Sequence, residues 1–275
     1  MLFVVTSDSA RPELASEIAA ITWYHTIELP GGVVTPGEYD TRVAARKVQL
    51  PENLDGMRCL DVGTHDGFWA FEMERRGATG VVAIDLDDPR RADFSEPVPN
   101  LSEEAIAERR ARPRAFACAH RALDSRVQRH DLSVYDLADA GLGRFDFAFI
   151  GTLLLHLREP LRALTAIRDV LEPGGRLLIN DAVSLATTLR HPRAPTYQLS
   201  LLPGKPFWWL PNASGLKRYL EKAGLQEIAS GGPYLIPRGP GYARPSLPRS
   251  AGNFVWRRIH ERGMPHAWAL GIPAD

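Results

Sequence analysis

The stretch from Met57 to Asp85 constrains the fold more than any other. Met57 to Val62 is a short apolar run that reads as a strand, and it ends in Gly63-Thr64-His65-Asp66-Gly67. Asp66 to Arg76 then reads as a helix closed by Gly77, and Val81 to Ile84 as a second strand ending in Asp85. A strand, a glycine turn, a helix and a second strand make a βαβ unit, which implies a parallel sheet covered by helices. In open sheets of this kind ligands lie outside the carboxyl ends of the strands, near the point where strand order reverses. Glycine at the turn lets backbone pass close to a ligand. Asp61 can accept a hydrogen bond from a cationic ammonium, directly or through water. Asp85 can accept both ribose hydroxyls of a nucleoside.

The alternation continues along the chain. Leu101 to Arg112 and Pro113 to Leu123 read as helices, and Phe145 to Ile150 as a strand. Pro160 to Leu171 is an amphipathic helix stopped by Pro173-Gly174-Gly175, with a strand expected over Arg176 to Asn180. Ser214 to Ala223 reads as a helix, Gly231 to Ser250 as a surface loop rich in proline and glycine, and Gly252 to Ile259 as the last strand. Upstream, Leu14, Ile18 and Ile21 stand at helical spacing within Ser9 to Thr22. An irregular but aromatic segment, Trp23 to Gly37, follows.

The glycine spacing separates two cofactor chemistries. A dinucleotide turn wants G-x-G-x-x-G, to bring pyrophosphate onto the helix N-terminus. Counting from Gly63, His65 stands at the middle glycine and Phe68 at the third. An acid two residues before the first glycine instead suits a cofactor with an amino acid end and no phosphate. Downstream, Ser133-Val134-Tyr135 precedes Gly143-Arg144-Phe145-Asp146 by about ten residues, and Ile150-Gly151 opens the apolar run Leu153-Leu154-Leu155-His156-Leu157.

Composition sets bounds on partners. Lys plus Arg and Asp plus Glu number 33 each, so no net charge draws the chain of 275 residues toward nucleic acid or an anionic membrane. No apolar stretch approaches a membrane span. Cys59 and Cys118 read as inert thiols, no metal site is expected, and the chain reads as cytoplasmic. The arginines Arg109, Arg110, Arg112 and Arg114 read as the solvated face of a helix, offset by Glu103, Glu104 and Glu108.

Taken in order, these signals resemble the class I S-adenosylmethionine (SAM)-dependent methyltransferases. A closer similarity is to the subgroup of tRNA wobble-uridine methyltransferases. It is carried by DVGTHDGFW from Asp61 to Trp69, by Val81 to Asp85, by the LLLHLREP run ending at Pro160, and by Phe207 to Asn212. The resemblance implies an α/β fold: a Rossmann-like sheet of seven strands, mostly parallel with an antiparallel last strand, and helices on both faces. Residues 1–50 would be an N-terminal helix and aromatic covering segment, and 51–275 the SAM-binding domain with lid insertions. SAM would be held by Asp61, Gly63, Thr64, Gly67, Asp85, Leu86, Ser133, Val134, Tyr135 and Gly151, with Asp131 a second candidate for the adenine amino group. His156 and His25 are the candidate general bases, with Glu28, Tyr39, Asp40 and Asp181 the other titratable groups expected near the pocket. Trp23, Tyr24, Trp208 and Trp209 are candidates for stacking on a methyl acceptor.

The wobble-uridine enzymes resemble one another in a LYH motif whose tyrosine helps hold a carboxylated SAM. Leu155 stands there in this chain, no lysine occurs between Trp23 and Asp40, and a basic residue, Lys205, precedes the Phe207 run. The sequence also reads as lacking the large N-terminal extension of the tRNA enzymes. The expected acceptor is therefore a small or medium-sized metabolite, with tRNA as the alternative.

Overall fold

The computed structural model describes residues 10–93, 103, 106, 112–199, 207–243 and 261–274. Seven strands form one sheet: β1 (Arg58–Val62), β2 (Gly80–Asp85), β3 (Gln128–Asp131), β4 (Phe145–Gly151), β5 (Leu171–Ala182), β6 (Leu225–Pro237) and β7 (Gly263–Pro273). Their spatial order is β6-β7-β5-β4-β1-β2-β3. The five strands β1 to β5 pair in parallel, while β7 runs antiparallel to both β5 and β6. Strand order therefore reverses between β1 and β4, and this places the ligand crevice at their carboxyl ends.

Alternation along the central strands separates two apolar clusters, one on each face. Cys59, Val81, Ala83, Phe147, Phe149 and Leu178 point to one face. There they pack with α2 (Phe68–Arg75), with Ala115, Phe116 and Ala119 of α3 (Arg112–Ala122), and with Ile18 of α1 (Ala10–Ala19). Leu60, Val62, Val82, Ile84, Ile150 and Ile179 point to the other, against α4 (Pro160–Asp169) and α5 (Ala213–Lys222). Both faces of the sheet are thus covered, as a parallel sheet requires.

The expected α/β architecture holds, with differences at the edges. β3 was not anticipated: Gln128-Arg129-His130-Asp131 is polar, and it is recognised only by its pairing with β2. β5 begins at Leu171 and runs through Pro173-Gly174-Gly175, because the pairing with β4 shifts register between Phe145 and Phe147 and absorbs that turn. Gly231 to Pro237, expected as loop, belongs to β6. The indole of Trp268 on β7 lies where a Cβ on Gly231 would stand, at 2.7 Å, so the glycine admits close packing across the pair. The strand expected over Gly252 to Ile259 lies outside the described residues, and the last described strand is β7. Of the helix expected over Leu101 to Arg112 only Glu103, Ile106 and Arg112 are described, and Arg109, Arg110 and Lys205 also fall outside the described residues.

The N-terminal segment joins the first apolar cluster through Trp23, Ile27 and Leu29. Trp23 is 2% exposed and its Nε1–H donates to the Ile18 carbonyl at 3.0 Å, so it packs the core and does not stack on an acceptor. No helix among the described residues is long and apolar enough to cross a membrane.

Gly67 closes the turn before α2 with φ 95°, and a Cβ there would meet the Phe71 ring at 2.4 Å and the Phe116 ring at 2.8 Å. Left-handed strain and overpacking act together, so Gly67→Ala is expected to destabilise the fold by about 2–4 kcal/mol. Urea denaturation checks this, and a loss under about 0.5 kcal/mol, the range of a neutral surface change, would contradict the packing described.

Candidate functional site

The loops leaving β1 and β4 meet at the switch point. Gly63 follows β1 with φ 78°, and a Cβ on it would come within 2.9 Å of Leu153 Cδ2. The loop then returns to β2: the His65 N–H donates to Asp85 Oδ2 at 2.7 Å, and the Leu86 N–H donates to Asp85 Oδ1 at 2.7 Å. Each carboxylate oxygen accepts one backbone bond and keeps a further lone pair for a ligand hydroxyl.

A cavity of about 150 Å³ opens beside these groups. Gly63, Asp85, Leu86, Ser133, Val134 and Tyr135 line it, so six of the ten residues expected to hold the cofactor come together around one space. His156 lines the same cavity, next to Leu153 and Leu157. Ser133 also caps the turn that carries Tyr135, accepting from its backbone N–H at 3.3 Å. Gly151 ends β4, with the Phe149 ring 2.5 Å from where its Cβ would be. Gly67 lies under Phe71 and Phe116.

Asp61 and Thr64 sit below the loop, each 1% exposed. Asp61 Oδ2 and Thr64 Oγ1 are buried with no hydrogen-bond partner among the described residues. A buried polar atom without a partner is costly, and a bound group supplying an ammonium would complete it. Burial pushes the Asp61 carboxyl up to about 7, and the attraction of His25 only partly offsets it. These are features into which a nucleoside with an amino acid end fits. A diphosphate fits poorly, since aromatic rings fill the space beside Gly67 and the His65 amide is already bonded to a carboxylate.

His25 stands outside the cavity, on a second carboxylate. Asp66 is completely buried, and its Oδ2 accepts from the backbone N–H of Tyr24 at 2.9 Å and of His25 at 2.8 Å. Its Oδ1 bonds His25 Nδ1. Burial works against the Asp66 charge, but attraction to His25 and these hydrogen bonds outweigh it and hold the carboxyl below its ordinary value. Tyr24 stacks on His65 with ring centres 4.7 Å apart and meets Tyr39 at 5.1 Å, which lays the aromatic segment over the glycine loop.

The other titratable candidates have structural work. Glu28 and Asp40 both bind Arg42, at 2.6 and 2.8 Å. Asp181 is 1% exposed and accepts from Leu154 N–H and Ala182 N–H, each at 2.7 Å, which ties the loop after β4 to β5. Asp131 is held by Arg91 at 2.9 Å and by the Asp87 N–H at 3.1 Å. Three features had no signal in the sequence. Asp93 lines the cavity. Thr152, with φ 51°, bonds His266 Nε2 at 3.0 Å. His266 is 1% exposed, and burial pushes its pKa down to about 4.

A doubly covered sheet in this strand order, with a glycine loop and a strand-end acid lining a cavity at its switch point, defines an α/β protein with its ligand crevice at the carboxyl ends of the strands. Residues 37–230 match the methyltransferase domain family, and the chain belongs to it. Its fold is that of the class I SAM-dependent methyltransferases. Among curated relatives, the tRNA U34 carboxymethyltransferase of Azotobacter vinelandii is 27% identical over 200 residues, covering 72% of this chain and 54% of the relative. That of Pseudomonas aeruginosa is 28% identical over 199 residues, covering 71% and 53%. This chain therefore spans about half the length of the curated relatives it matches. Among solved structures, the 1,6-didemethyltoxoflavin-N1-methyltransferase of Burkholderia thailandensis, with bound S-adenosylhomocysteine, superposes with a TM-score of 0.51. It is 17% identical, and the match covers 80% of this chain and 72% of that one. An O-methyltransferase family protein from the same species gives 0.51 at 15% identity, over 86% and 56%. These two likenesses are in fold.

Asp61 makes stability depend on pH. Its folded pKa of about 7 lies above the ordinary aspartate value of about 3.9, so between the two the folded chain binds more protons than the unfolded one. Stability of the ligand-free protein therefore falls as pH rises from about 4 to about 7 and levels off above. Asp181, also pushed up to about 7 by burial, contributes with the same sign. Asp61→Asn is expected to remove its own share, on the order of 1–3 kcal/mol between pH 5 and 8. Urea titrations at the two pH values measure it, and an unchanged difference in the variant would refute the assignment.

Proposed function

We propose that this protein transfers the methyl group of SAM to a small or medium-sized metabolite. The observation that carries the cofactor half is the cavity shared by Gly63, Asp85 and Ser133 to Tyr135, with the partnerless Asp61 oxygen beneath its loop. Asp85 takes the ribose hydroxyls, Val134 and Tyr135 flank the adenine, and Asp61, Thr64 and Gly151 meet the amino acid end. SAM supplies an electrophilic methyl on a sulfonium, and the protein supplies alignment. His25 is the proposed base: a buried carboxylate orients its imidazole through Nδ1, the arrangement by which a base is held toward a nucleophile. His156 lines the adenosine cavity and on this reading packs the cofactor.

The acceptor half rests on charge. Arg42, Arg75, Arg76, Arg91 and Arg129 each bond a carboxylate, which takes their charge away from phosphate binding. The second reading, methylation at a tRNA wobble uridine, is favoured by the names of the curated relatives. Leu155 weighs against a carboxylated cofactor: it is 2% exposed, in the core, and offers no donor where the relatives' motif has a tyrosine.

The two readings separate when SAM carrying a deuterated methyl is incubated with a metabolite extract and, in parallel, with bulk tRNA. The expected result is labelled metabolite and unlabelled tRNA. Label on a uridine, with submicromolar binding that weakens as salt rises, would install the tRNA reading instead. On the same assay His25→Asn is expected to cut turnover by roughly a hundredfold or more while SAM affinity changes little. Asp85→Ala is expected to lower SAM affinity about ten- to a hundredfold, the loss of roughly 1.5–3 kcal/mol for hydrogen bonds to a charged acceptor. Calorimetry measures that loss, and full SAM affinity in a folded Asp85→Ala protein would overturn the seat.

A further inference from the structure

The Asp93 carboxylate ties three loops together beside the adenosine cavity. Asp93 stands eight residues beyond Asp85, after the turn Pro89–Arg91, and lines the cavity itself. Its Oδ2 accepts from the Tyr135 hydroxyl at 2.8 Å and from the Arg158 N–H at 2.6 Å. Its backbone carbonyl accepts from Trp208 Nε1 at 2.6 Å. The loops after β2, β3 and β4 thus converge on one side chain, and Trp208 joins them. Its own N–H donates to the Leu155 carbonyl at 2.8 Å.

The knot immobilises Tyr135. Its hydroxyl donates to Asp93 and accepts from the Glu159 N–H at 3.1 Å, and the Arg162 guanidinium lies 4.8 Å from its ring centre. A charged acceptor makes the bonds to Asp93 the stronger ones in the set. The same side chain therefore sets the ring beside the adenosine cavity and joins the loop that carries it to the loop after β4.

We propose that Asp93 is a positioning residue and latch for the cofactor: it holds Tyr135 against the adenine, and its bonds must part for the cofactor to enter or leave. This rests on the cavity being the SAM seat. The bonds join groups far apart in sequence, at 42 residues for Tyr135 and 65 for Arg158, so their release separates the loops without unfolding either neighbouring strand. Binding that waits on such an opening is slow. Opening the latch speeds entry and exit together, whereas loss of a simple contact speeds exit alone.

The test is the rate of S-adenosylhomocysteine binding and release, followed by stopped flow, in the wild type, Asp93→Ala and Tyr135→Phe. Asp93→Ala is expected to raise both the association and the dissociation rate constants at least about tenfold. Tyr135→Phe keeps the ring and removes both bonds of the hydroxyl, one of them the bond to Asp93, while the Arg158 N–H bond to Asp93 stays, and both constants are expected to rise roughly threefold. If Asp93→Ala fails to fold, Tyr135→Phe decides by the same criterion. Association that is unchanged in folded variants overturns the latch, even where dissociation quickens. Failure of the wild type to bind S-adenosylhomocysteine would be a different result: it removes the cofactor seat, and the latch with it.

Discussion

The Asp85 carboxylate accepts the His65 N–H on one oxygen and the Leu86 N–H on the other, and this fixes the loop after β1 against the end of β2. The rest of the site takes its position from that bracket. Gly63, next to the held loop, comes close to Leu153 from the far side of the switch point. The cavity is what remains between these backbones and the Ser133–Tyr135 turn. A side chain at the end of a parallel strand can do this because the strand is buried on both faces and has no freedom to shift.

Two buried aspartates near this bracket show how partners decide charge. Asp61 and Asp66 are both fully enclosed. Asp66 has two backbone donors and an imidazole, and its carboxyl is held below the ordinary range. Asp61 keeps an oxygen without a partner, and burial raises it to about 7. The first is a tether that fastens the Tyr24–His25 backbone to the glycine loop. The second suits a cationic ligand, since a positive group beside it would restore its charge and complete its bonding.

The sheet and the inner half of the site were legible in the sequence because they depend on neighbours close in the chain. Gly63, Asp85 and Leu86 belong to one βαβ unit, whose glycine and acid are fixed by strand ends. Ser133 to Tyr135 could be placed by their distance from the strand that follows. The outer half depends on contacts that no local pattern encodes. Asp93 reaches Tyr135 and Arg158 across dozens of residues, and Thr152 meets His266 over 114. Polar β3 has no apolar alternation to betray it, and Pro173-Gly174-Gly175 marks a bulge where a helix stop alone was expected. Trp23, in a broken aromatic segment, reads as a candidate for stacking on an acceptor, yet packing against Ile18 and its neighbours buries it.

A crystal structure of the protein grown with S-adenosylhomocysteine tests the central claim most directly, that the switch-point cavity is the seat of a SAM-type cofactor. The account predicts adenine between the Ser133–Tyr135 turn and Leu153, both ribose hydroxyls on the Asp85 carboxylate, and the amino group within hydrogen-bond reach of Asp61 or Gly151. Density for the ligand elsewhere on the sheet, or a ribose that leaves Asp85 untouched, would contradict it.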